Sequence, residues 1–472
     1  SPTDQVNGMY VDTSSTAIND GKITGNVAVD SATGTLIGMQ GRLINQVANP
    51  AGSIPIQLTN NGKIELSATA AAGKTISNSL IGMGSFLEKA FLEGTKLLRR
   101  TGFIDIANYG DIDLNVNLGD TGTYDSTQSN LYDGTGGIIG IRADAHTTAS
   151  NNGNINLTIA PESAAGIENS HAGMLSVHGG TISNNKNITI SGGIGGYGML
   201  GVRGEGTNSE FNTLNPTIVN SASGTITVNS VDGFGMATRH GGTVVNNGTI
   251  IMGDKGTGLQ INAGSGSNTG TITLNNGGIG MAIKKNTTSS DGTIYNASTA
   301  KLQNENIITI NNANGSSGMY IEDGLANNLG GVINVNGINT TTESSYGIRA
   351  LNGKVLNSGE INMNVLLSGD LDSYGIYGDN ATTVNNSGTI TSVRKGTGIY
   401  TTSGSSTNSG KITMNGRGST GMASESGAIT NTDKGEITVI SGTGIKSTSG
   451  QVINEGKVII TDGSASTGIS SG

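Results

Sequence analysis

Four aromatic or cationic residues occupy the same position of a short repeated motif. Each directly follows the aliphatic residue of x-Gly-[Ile/Met] in four consecutive repeats: Tyr320, Arg349, Tyr377 and Tyr400. In a strand whose Ile or Met points into a core, the next side chain points outward. Outward tyrosine rings beside a guanidinium suit sugar rings or protein hot spots. These four residues are therefore candidate ligand-binding residues, and the alternative is a stacked column that only stiffens the sheet.

Two short motifs alternate along the chain and define the repeat that must hold these residues. One is Asn-x-Gly-x-Ile-x-Val with aliphatic substitutions, and the other is x-Gly-[Ile/Met]. The glycine of the second motif occurs 16 times between Gly8 and Gly468, and its last five positions are 23 or 24 residues apart. A period of about 20–50 residues indicates a solenoid.

Residues 224–250 show how one repeat is built. Thr225–Val228 alternates polar and apolar side chains, and two more short apolar stretches at 234–236 and 244–245 predict three strands. Turns at 230–233, 239–242 and 246–248 contain Gly, Asn or Asp, which tolerate a left-handed backbone. We predict an all-β, right-handed parallel β-helix of about 15 coils.

In such a helix, like residues stack into columns. One inward row is expected to contain Ile226, Ile250 and Ile272. A row of asparagines is expected at one corner, and its members are Asn246, Asn268, Asn357, Asn386, Asn408 and Asn454.

The regularity of the repeat divides the chain into four segments. We predict irregular N-terminal coils over 1–84, an amphipathic helical insertion over 85–104, and a β-helix with long loops over 105–225. Regular coils of 22–29 residues, with one longer coil, are expected over 226–472.

The helical insertion is expected near residues 85–100. Ser85 and Glu88 match a capping box. Leu87, Phe91 and Leu98 lie on the apolar face of the predicted helix. That face covers the side of the β-helix in one interpretation, and binds a partner or a second copy in the other.

Composition disfavours several functions. The net charge of −9 without basic clusters argues against nucleic acid and anionic membrane as partners. The absence of cysteine and the presence of only four histidines argue against disulfides, thiol catalysis and structural zinc. No apolar run reaches the roughly 18 residues of a membrane-spanning helix. We expect no metal, no cofactor and no catalytic residues.

Two groups of polar residues were candidates for other chemistry. His171 and His178 have no evident third metal ligand, so we interpret them as solvated surface residues. Asp370, Asp372 and Asp379 are close in the sequence, but we assign them to a loop rather than to a catalytic or metal site.

The alternation of the two motifs, without cysteine, resembles the passenger region of large type V autotransporter adhesins, closest to the giant outer-membrane adhesins of fusobacteria. Gly375–Tyr377, Gly398–Tyr400 and Asn408–Met414 carry the resemblance best. It implies that this sequence is a piece of a larger protein with an N-terminal signal and a C-terminal outer-membrane β-barrel. It also implies export through that barrel and display on the bacterial cell surface. Members of the family bind host glycans, such as galactose-containing sugars, host receptors or neighbouring bacteria.

Three functions therefore stay open. We expect a non-enzymatic, cell-surface adhesin segment that binds a host-cell glycan, a protein receptor or a neighbouring bacterium. One alternative is a polysaccharide-cleaving β-helix enzyme, which would need acidic and basic residues converging over two or three coils. The other alternative is a self-associating or spacer segment of a stalk.

Overall fold

A computed structural model describes most of the chain. The described residues are 4–12, 15–29, 34–43, 55–70, 72–87, 104–119, 123–124, 131, 136–160, 170–203, 214–285, 297–341, 343–367, 372–462 and 466–472. The chain forms two compact units. The first covers residues 1–253 and 288–294, and the second covers residues 254–287 and 295–472.

The first unit is built from three parallel sheets, A, B and C, which the chain visits in turn. Sheet A consists of β1 (Asp4–Asp12), β4 (Gly34–Leu43), β8 (Ser79–Leu87), β12 (Ile138–Ala143), β15 (His171–Val177), β18 (Tyr197–Val202) and β21 (Phe234–Arg239). Sheet B consists of β2 (Thr16–Asn19), β5 (Ile56–Asn60), β9 (Ile104–Asn108), β13 (Thr147–Asn151), β16 (Thr181–Asn184), β19 (Thr217–Asn220) and β22 (Thr243–Asn246). Sheet C consists of β3 (Lys22–Val29), β6 (Lys63–Ala70), β10 (Asp111–Asn117), β14 (Asn154–Ala160), β17 (Asn187–Ser191), β20 (Thr225–Val228) and β23 (Thr249–Asp254). A separate pair is formed by β7 (Thr75–Ile76) and β11 (Thr123–Tyr124).

The second unit repeats the same plan. Sheet A consists of β24 (Thr257–Ile261), β27 (Ile279–Ile283), β30 (Ser317–Ile321), β33 (Tyr346–Ala350), β36 (Ser373–Gly378), β39 (Gly396–Thr401), β42 (Thr420–Ser424), β45 (Thr443–Ser447) and β48 (Thr467–Ser471). Sheet B consists of β25 (Ser265–Asn268), β28 (Lys301–Asn304), β31 (Leu325–Asn328), β34 (Lys354–Asn357), β37 (Thr383–Asn386), β40 (Ser405–Asn408), β43 (Ala428–Asn431) and β46 (Val452–Asn454). Sheet C consists of β26 (Thr271–Asn276), β29 (Ile307–Ile310), β32 (Val332–Thr341), β35 (Glu360–Leu367), β38 (Thr389–Ser392), β41 (Lys411–Met414), β44 (Glu436–Val439) and β47 (Lys457–Ile460). A short 3₁₀ helix covers Ala297–Thr299.

The predicted parallel β-helix is confirmed, with one strand of each sheet in every coil. Like residues pair between coils, as Ile226 of β20 does with Ile250 of β23, and both are fully buried. Its right-handed sense stays a prediction.

The glycine of the x-Gly-[Ile/Met] motif is needed because the coil interior is narrow at this point. A Cβ atom on Gly398 would lie 2.5 Å from Ile412 Cγ2 and 2.6 Å from the carbonyl oxygen of Gly421 in the next coil. Both distances are shorter than van der Waals contact. Any side chain here would push the coils apart.

The asparagine row at the corner after sheet B is confirmed within each unit as a ladder of side-chain amides. In the second unit Asn357 Nδ2 donates to Asn386 Oδ1 at 2.7 Å, and Asn386 Nδ2 donates to Asn408 Oδ1 at 2.8 Å. The second-unit ladder comprises Asn268, Asn304, Asn328, Asn357, Asn386, Asn408, Asn431 and Asn454. The first-unit ladder comprises Asn19, Asn60, Asn108, Asn151, Asn184, Asn220 and Asn246. Each amide satisfies its neighbours, so a buried polar column is stable inside the core.

Two of the three corners predicted in residues 224–250 use a left-handed backbone, at Asp232 (φ 51°) and Gly242 (φ 121°). At the third corner, residues 246–248, no residue has a positive φ. Its glycine has a different role, which is to let the neighbouring coil approach closely. A Cβ on Gly248 would lie 2.2 Å from the carbonyl oxygen of Gly224.

The predicted helix at 85–100 is wrong at its start. Ser85 and Leu87 lie in β8, where the strand pairs with β4 in parallel register. The Ser85 hydroxyl that a capping box needs is buried, accepts from the Asp144 backbone N–H at 2.8 Å and bonds the Thr147 hydroxyl at 2.8 Å. Phe91 and Leu98 lie outside the described residues.

Candidate functional site

The four predicted ligand-binding residues form one column on sheet A of the second unit. Tyr320 pairs with Arg349, Arg349 with Tyr377, and Tyr377 with Tyr400, on strands β30, β33, β36 and β39. All four are half-buried, with one side of each open to solvent. The predicted alignment is confirmed, while the ligand-binding role stays a prediction.

A second pair of tyrosines lies beside this column. Tyr346 and Tyr374 stack with ring centroids 5.5 Å apart, and Tyr374 meets Tyr377 edge-on at 5.2 Å. Tyr377 and Tyr400 stack at 5.3 Å. We call the whole set the tyrosine stripe, and it consists of Tyr320, Tyr346, Arg349, Tyr374, Tyr377 and Tyr400. The rings of Tyr346, Tyr374, Tyr377 and Tyr400 are close enough to form one continuous aromatic surface, and Arg349 lies between this surface and the Tyr320 ring.

Sequence reasoning missed Tyr346 and Tyr374 because the strand departs from strict alternation. Period two would place Tyr346 on the same inward side as Ile348. In β33, however, Gly347 and Ile348 are both buried, and Tyr346 and Arg349 are both half-buried on the outer face. The glycine fits inside only because it has no side chain, so two consecutive residues face the core. An aromatic residue directly before the motif glycine was the available signal.

Arg349 lies between two of the rings. Its guanidinium carbon is 4.9 Å from the ring centroid of Tyr346 and 5.8 Å from that of Tyr320. Among the residues that the structure describes, none makes a hydrogen bond or an ion pair with this guanidinium, and its Nε atom is buried. The Lys284 ammonium also lies over the Tyr320 ring, at 4.2 Å. This end of the stripe is therefore cationic.

A cleft of about 240 Å³ lies at the other end, beside Tyr400. It exists because the column continues from Tyr400 to the small Ala423 and then to Lys446. Two carboxylates, Asp372 and Glu425, line the cleft. The Tyr400 hydroxyl donates to Glu425 Oε1. The cleft thus offers a ring face, a flat floor and charged hydrogen-bonding groups.

The pKa values of four tyrosine hydroxyls in the stripe, those of Tyr320, Tyr374, Tyr377 and Tyr400, are raised, so these hydroxyls stay protonated to unusually high pH. Burial raises the pKa of Tyr320 to about 12, and the nearby Glu322 carboxylate adds to the shift. Burial also raises the pKa of Tyr374 to about 12, with a further contribution from Asp372. Burial, followed by the hydrogen bond to Glu425, raises the pKa of Tyr400. At neutral pH the stripe therefore presents uncharged rings and hydroxyl donors.

The equivalent face of sheet A is covered at two strands of the first unit, β15 and β18. Leu175 and Leu200 directly follow the methionine of the x-Gly-[Ile/Met] motif, which is the position that Tyr320, Arg349, Tyr377 and Tyr400 occupy in the second unit. The two leucines are only 0% and 1% exposed. They pack in one hydrophobic cluster with Leu131 and with the ring of Tyr197. These two strands therefore lack the open aromatic face of the second unit, whereas Tyr10, the equivalent residue of β1, is 42% exposed.

The interpretation of His171 as a solvated surface residue needs correction, whereas His178 is partly exposed. His171 is fully buried, 3.3 Å from the Ser230 hydroxyl through Nε2, so assigning it to the solvated surface is wrong. It lies on β15, a strand that is buried along its whole length. His178 is partly exposed, and its Nδ1 is 2.8 Å from the Asp144 carboxylate. No group of three metal-ligating side chains is found among the described residues.

Asp144 belongs to a buried charged cluster in the first unit. Its carboxylate is 3.3 Å from Arg142 Nη2 and also accepts from the Ala145 backbone N–H at 2.9 Å. Burial alone would raise the pKa of Asp144, but the Arg142 charge and the His178 hydrogen bond hold it below its usual value. Arg142 also donates to the Ser85 carbonyl at 2.7 Å. The cluster ties adjacent coils together and so has a structural role.

The aspartates assigned to a loop have different surroundings. Asp372 lines the cleft, and its carboxylate is 3.4 Å from Lys395 Nζ. Asp379 accepts from the Thr402 hydroxyl at 2.8 Å. Asp370 lies outside the described residues.

A larger groove of about 500 Å³ runs along the asparagine corner of the second unit. Gly359, Gly388 and Gly410 form its backbone floor, and Lys411 and Glu436 pair across it at 3.7 Å. No aromatic side chain is part of its lining. The tyrosine stripe, with its open rings and its unpaired guanidinium, is the stronger candidate site.

The described residues contain no helix that is long and apolar enough to cross a membrane. The fold defines a parallel β-helix repeat protein. Comparison of the chain with protein-family models, curated proteins and solved structures finds no match.

Proposed function

We propose that this chain is a non-enzymatic binding segment of a bacterial cell-surface adhesin, and that the tyrosine stripe binds carbohydrate. The observation that carries the proposal is the continuous surface of four tyrosine rings, those of Tyr346, Tyr374, Tyr377 and Tyr400, which ends at a cleft with hydrogen-bonding side chains. The autotransporter resemblance of the repeat supports display on the cell surface.

Carbohydrate fits this surface because a sugar ring has an apolar face and a rim of hydroxyls. The rings of Tyr374 and Tyr400 line the cleft and offer apolar area at low entropic cost, since a tyrosine side chain has only two rotatable bonds to order. Glu425 and Asp372 are acceptors for sugar hydroxyls, and Lys446 is a donor. A protein receptor is the competing partner for the same rings.

The test is a glycan and host-receptor array probed with this chain and with a Tyr377→Ala, Tyr400→Ala double variant. We expect glycan binding by the wild type and a loss of at least about tenfold in the double variant, because truncating an aromatic hot-spot residue costs about 1–2 kcal/mol or more. Tyr109→Ala is the matched control, since Tyr109 is an exposed tyrosine of the first unit. Unchanged glycan binding by a folded double variant contradicts the proposal.

One observation favours a second candidate, a polysaccharide-cleaving enzyme. Asp372 and Glu425 line the same cleft, and glycoside hydrolysis uses a pair of carboxylates. Both are already engaged, Asp372 by Lys395 and Glu425 by the Tyr400 hydroxyl. Incubation with polysaccharides and assay of new reducing ends separates the candidates. Cleavage that disappears in Glu425→Gln supports the enzyme, and its absence across substrates that the chain binds supports the adhesin.

Surface display has its own test. Antibodies against this chain should label intact cells of the source bacterium, and added protease should remove the label. Labelling only after permeabilisation contradicts the proposed location.

A further inference from the structure

We propose that the glycan bound by the tyrosine stripe carries a carboxylate, as a sialic or uronic acid does, and that this carboxylate pairs with the Arg349 guanidinium. This inference rests on the proposed carbohydrate-binding function. It adds the chemical class of the sugar and the direction in which the glycan lies.

The first argument is the unused hydrogen-bonding capacity of Arg349. A guanidinium presents five N–H donors in a planar fork that matches a carboxylate. No described residue accepts from this fork or pairs with its charge, and Nε is buried. Arg349 is partly exposed as a whole, so an incoming carboxylate would pair with the outer donors of the fork rather than with the buried Nε.

The second argument is that the nearby carboxylates are committed elsewhere. Glu322 pairs with Lys284 at 3.5 Å and accepts from the Tyr320 hydroxyl at 3.2 Å. The Asp379 carboxylate accepts from the Thr402 hydroxyl at 2.8 Å. The charge of Arg349 therefore remains available to a ligand.

The third argument is the position of the fork against the rings. Tyr346 lies on one side of Arg349, at 4.9 Å, and Tyr346 is stacked on Tyr374. Because the two rings stack on each other, a sugar lying across their solvent-facing edges would place one of its substituents next to the guanidinium. Aromatic contact and a bidentate ion pair would then act on the same sugar unit.

The charges at the two ends of the stripe fix a direction for the glycan. Arg349 lies two strand spacings from Tyr400, which corresponds to about 10 Å. Glu425 and Asp372 at the Tyr400 cleft disfavour a carboxylate there. The acidic sugar would therefore lie at Arg349 and a neutral, hydroxyl-rich unit at the cleft.

Lys446 is the competing cation because it also lines the cleft. It is exposed, it lies beside Glu425, and an ammonium is a strongly hydrated point charge without a fork. The geometry favours Arg349.

The experiment compares matched ligands on the intact chain. Sialyl-lactose, its carboxyl methyl ester, lactose, and a uronic-acid-terminated oligosaccharide with its neutral counterpart are titrated by calorimetry. We expect at least one carboxylate-bearing ligand to bind about tenfold or more tighter than its uncharged match, since charge-assisted bidentate pairs are the strong ones. The sialyl and uronic arms identify which acidic sugar is preferred. The preference should weaken with added salt.

The variants locate the preference. Arg349→Gln should abolish it, so that this variant binds the acidic ligand and its neutral match with affinities within about twofold of each other. Lys446→Gln should leave the preference intact. Equal affinity of acidic and neutral ligands for the wild type overturns the inference, and the proposed function still stands. A preference for the acidic ligand that is lost in Lys446→Gln but kept in Arg349→Gln overturns it in the same way. Absence of binding to every glycan overturns the proposed function itself. The comparison of sialyl-lactose with its methyl ester uses only the wild-type chain, so it tests the role of the carboxylate even if a variant fails to fold.

Discussion

Replacing Asn386 by alanine breaks the asparagine ladder of the second unit. The side chain is 1% exposed, accepts from Asn357 Nδ2 at 2.7 Å, and donates to Asn408 Oδ1 at 2.8 Å and to the Gly388 carbonyl at 3.3 Å. Alanine removes all three contacts. The coil is too tightly packed for water to replace them easily.

The expected cost follows from the partners left behind. A buried donor or acceptor that loses its partner costs about 1–3 kcal/mol. The side-chain amides of Asn357 and Asn408 lose their main partner, but each keeps a weaker contact. Asn357 Nδ2 still donates to the Gly359 carbonyl at 3.4 Å, and Asn408 Oδ1 still accepts from the Gly410 N–H at 3.3 Å. We therefore expect a loss of about 2–4 kcal/mol in local stability.

The assay is hydrogen exchange with urea unfolding. Coils contact only their neighbours, so faster exchange should concentrate in strands β34, β37 and β40. Asn385→Ala is the matched control, because Asn385 is the adjacent, half-buried residue of the same strand and should change stability by about 0.5 kcal/mol or less. Equal effects of the two variants would refute the idea that the ladder stabilises the coil stack.

Three further predictions concern packing and ionisation. Gly398→Ala should destabilise the second unit by about 1–3 kcal/mol in chemical denaturation, because its methyl overlaps the neighbouring coil. Gly21→Ala, with open space around the added methyl, should have little effect. Asp144→Asn should cost the first unit about 3–5 kcal/mol by leaving its buried partners unpaired. The pKa of Asp144 is lowered in the fold, so its contribution to stability is full above the ordinary aspartate pKa and fades as the pH falls through the lowered value. Acid unfolding of the wild type and of Asp144→Asn would measure this loss. The pKa values of Tyr320 and Tyr374, about 12, predict that their tyrosinate absorbance appears only at a pH above that of an ordinary tyrosine. The stability linked to these protonated hydroxyls should be full below the ordinary tyrosine pKa and lost as the pH rises through about 12.

The repeat made the fold predictable because every coil must bury the same aliphatic row. The columns containing Ile226 and Tyr377 followed from spacing alone. Asn304, Asn328 and Asn431 belong to the ladder but were missed. The residues after Asn304 and Asn431 depart from Asn-x-Gly, and Asn328 keeps Asn-x-Gly but has one extra residue before the strand isoleucine Ile333.

The other differences come from contacts that no local pattern encodes. Ser85 matches a capping box but lies in a strand, because β8 pairs with β4 and the Ser85 hydroxyl forms hydrogen bonds with Asp144 and Thr147, which are distant in the sequence. His171 is buried because its strand is covered on both sides, although a histidine in a glycine-rich stretch is typical of a surface. Tyr346 and Tyr374 required knowledge of the local break in alternation.

The most direct test of the account is whether a ligand touches the tyrosine stripe. The chain has 11 tyrosines and no tryptophan, so its intrinsic emission comes from tyrosine, and five of these residues belong to the stripe. Titration with a glycan selected on the array should give a saturable change in tyrosine fluorescence, at the affinity found by calorimetry. The same calorimetric affinity in wild type and in the folded Tyr377→Ala, Tyr400→Ala variant, without any fluorescence change, would contradict the account.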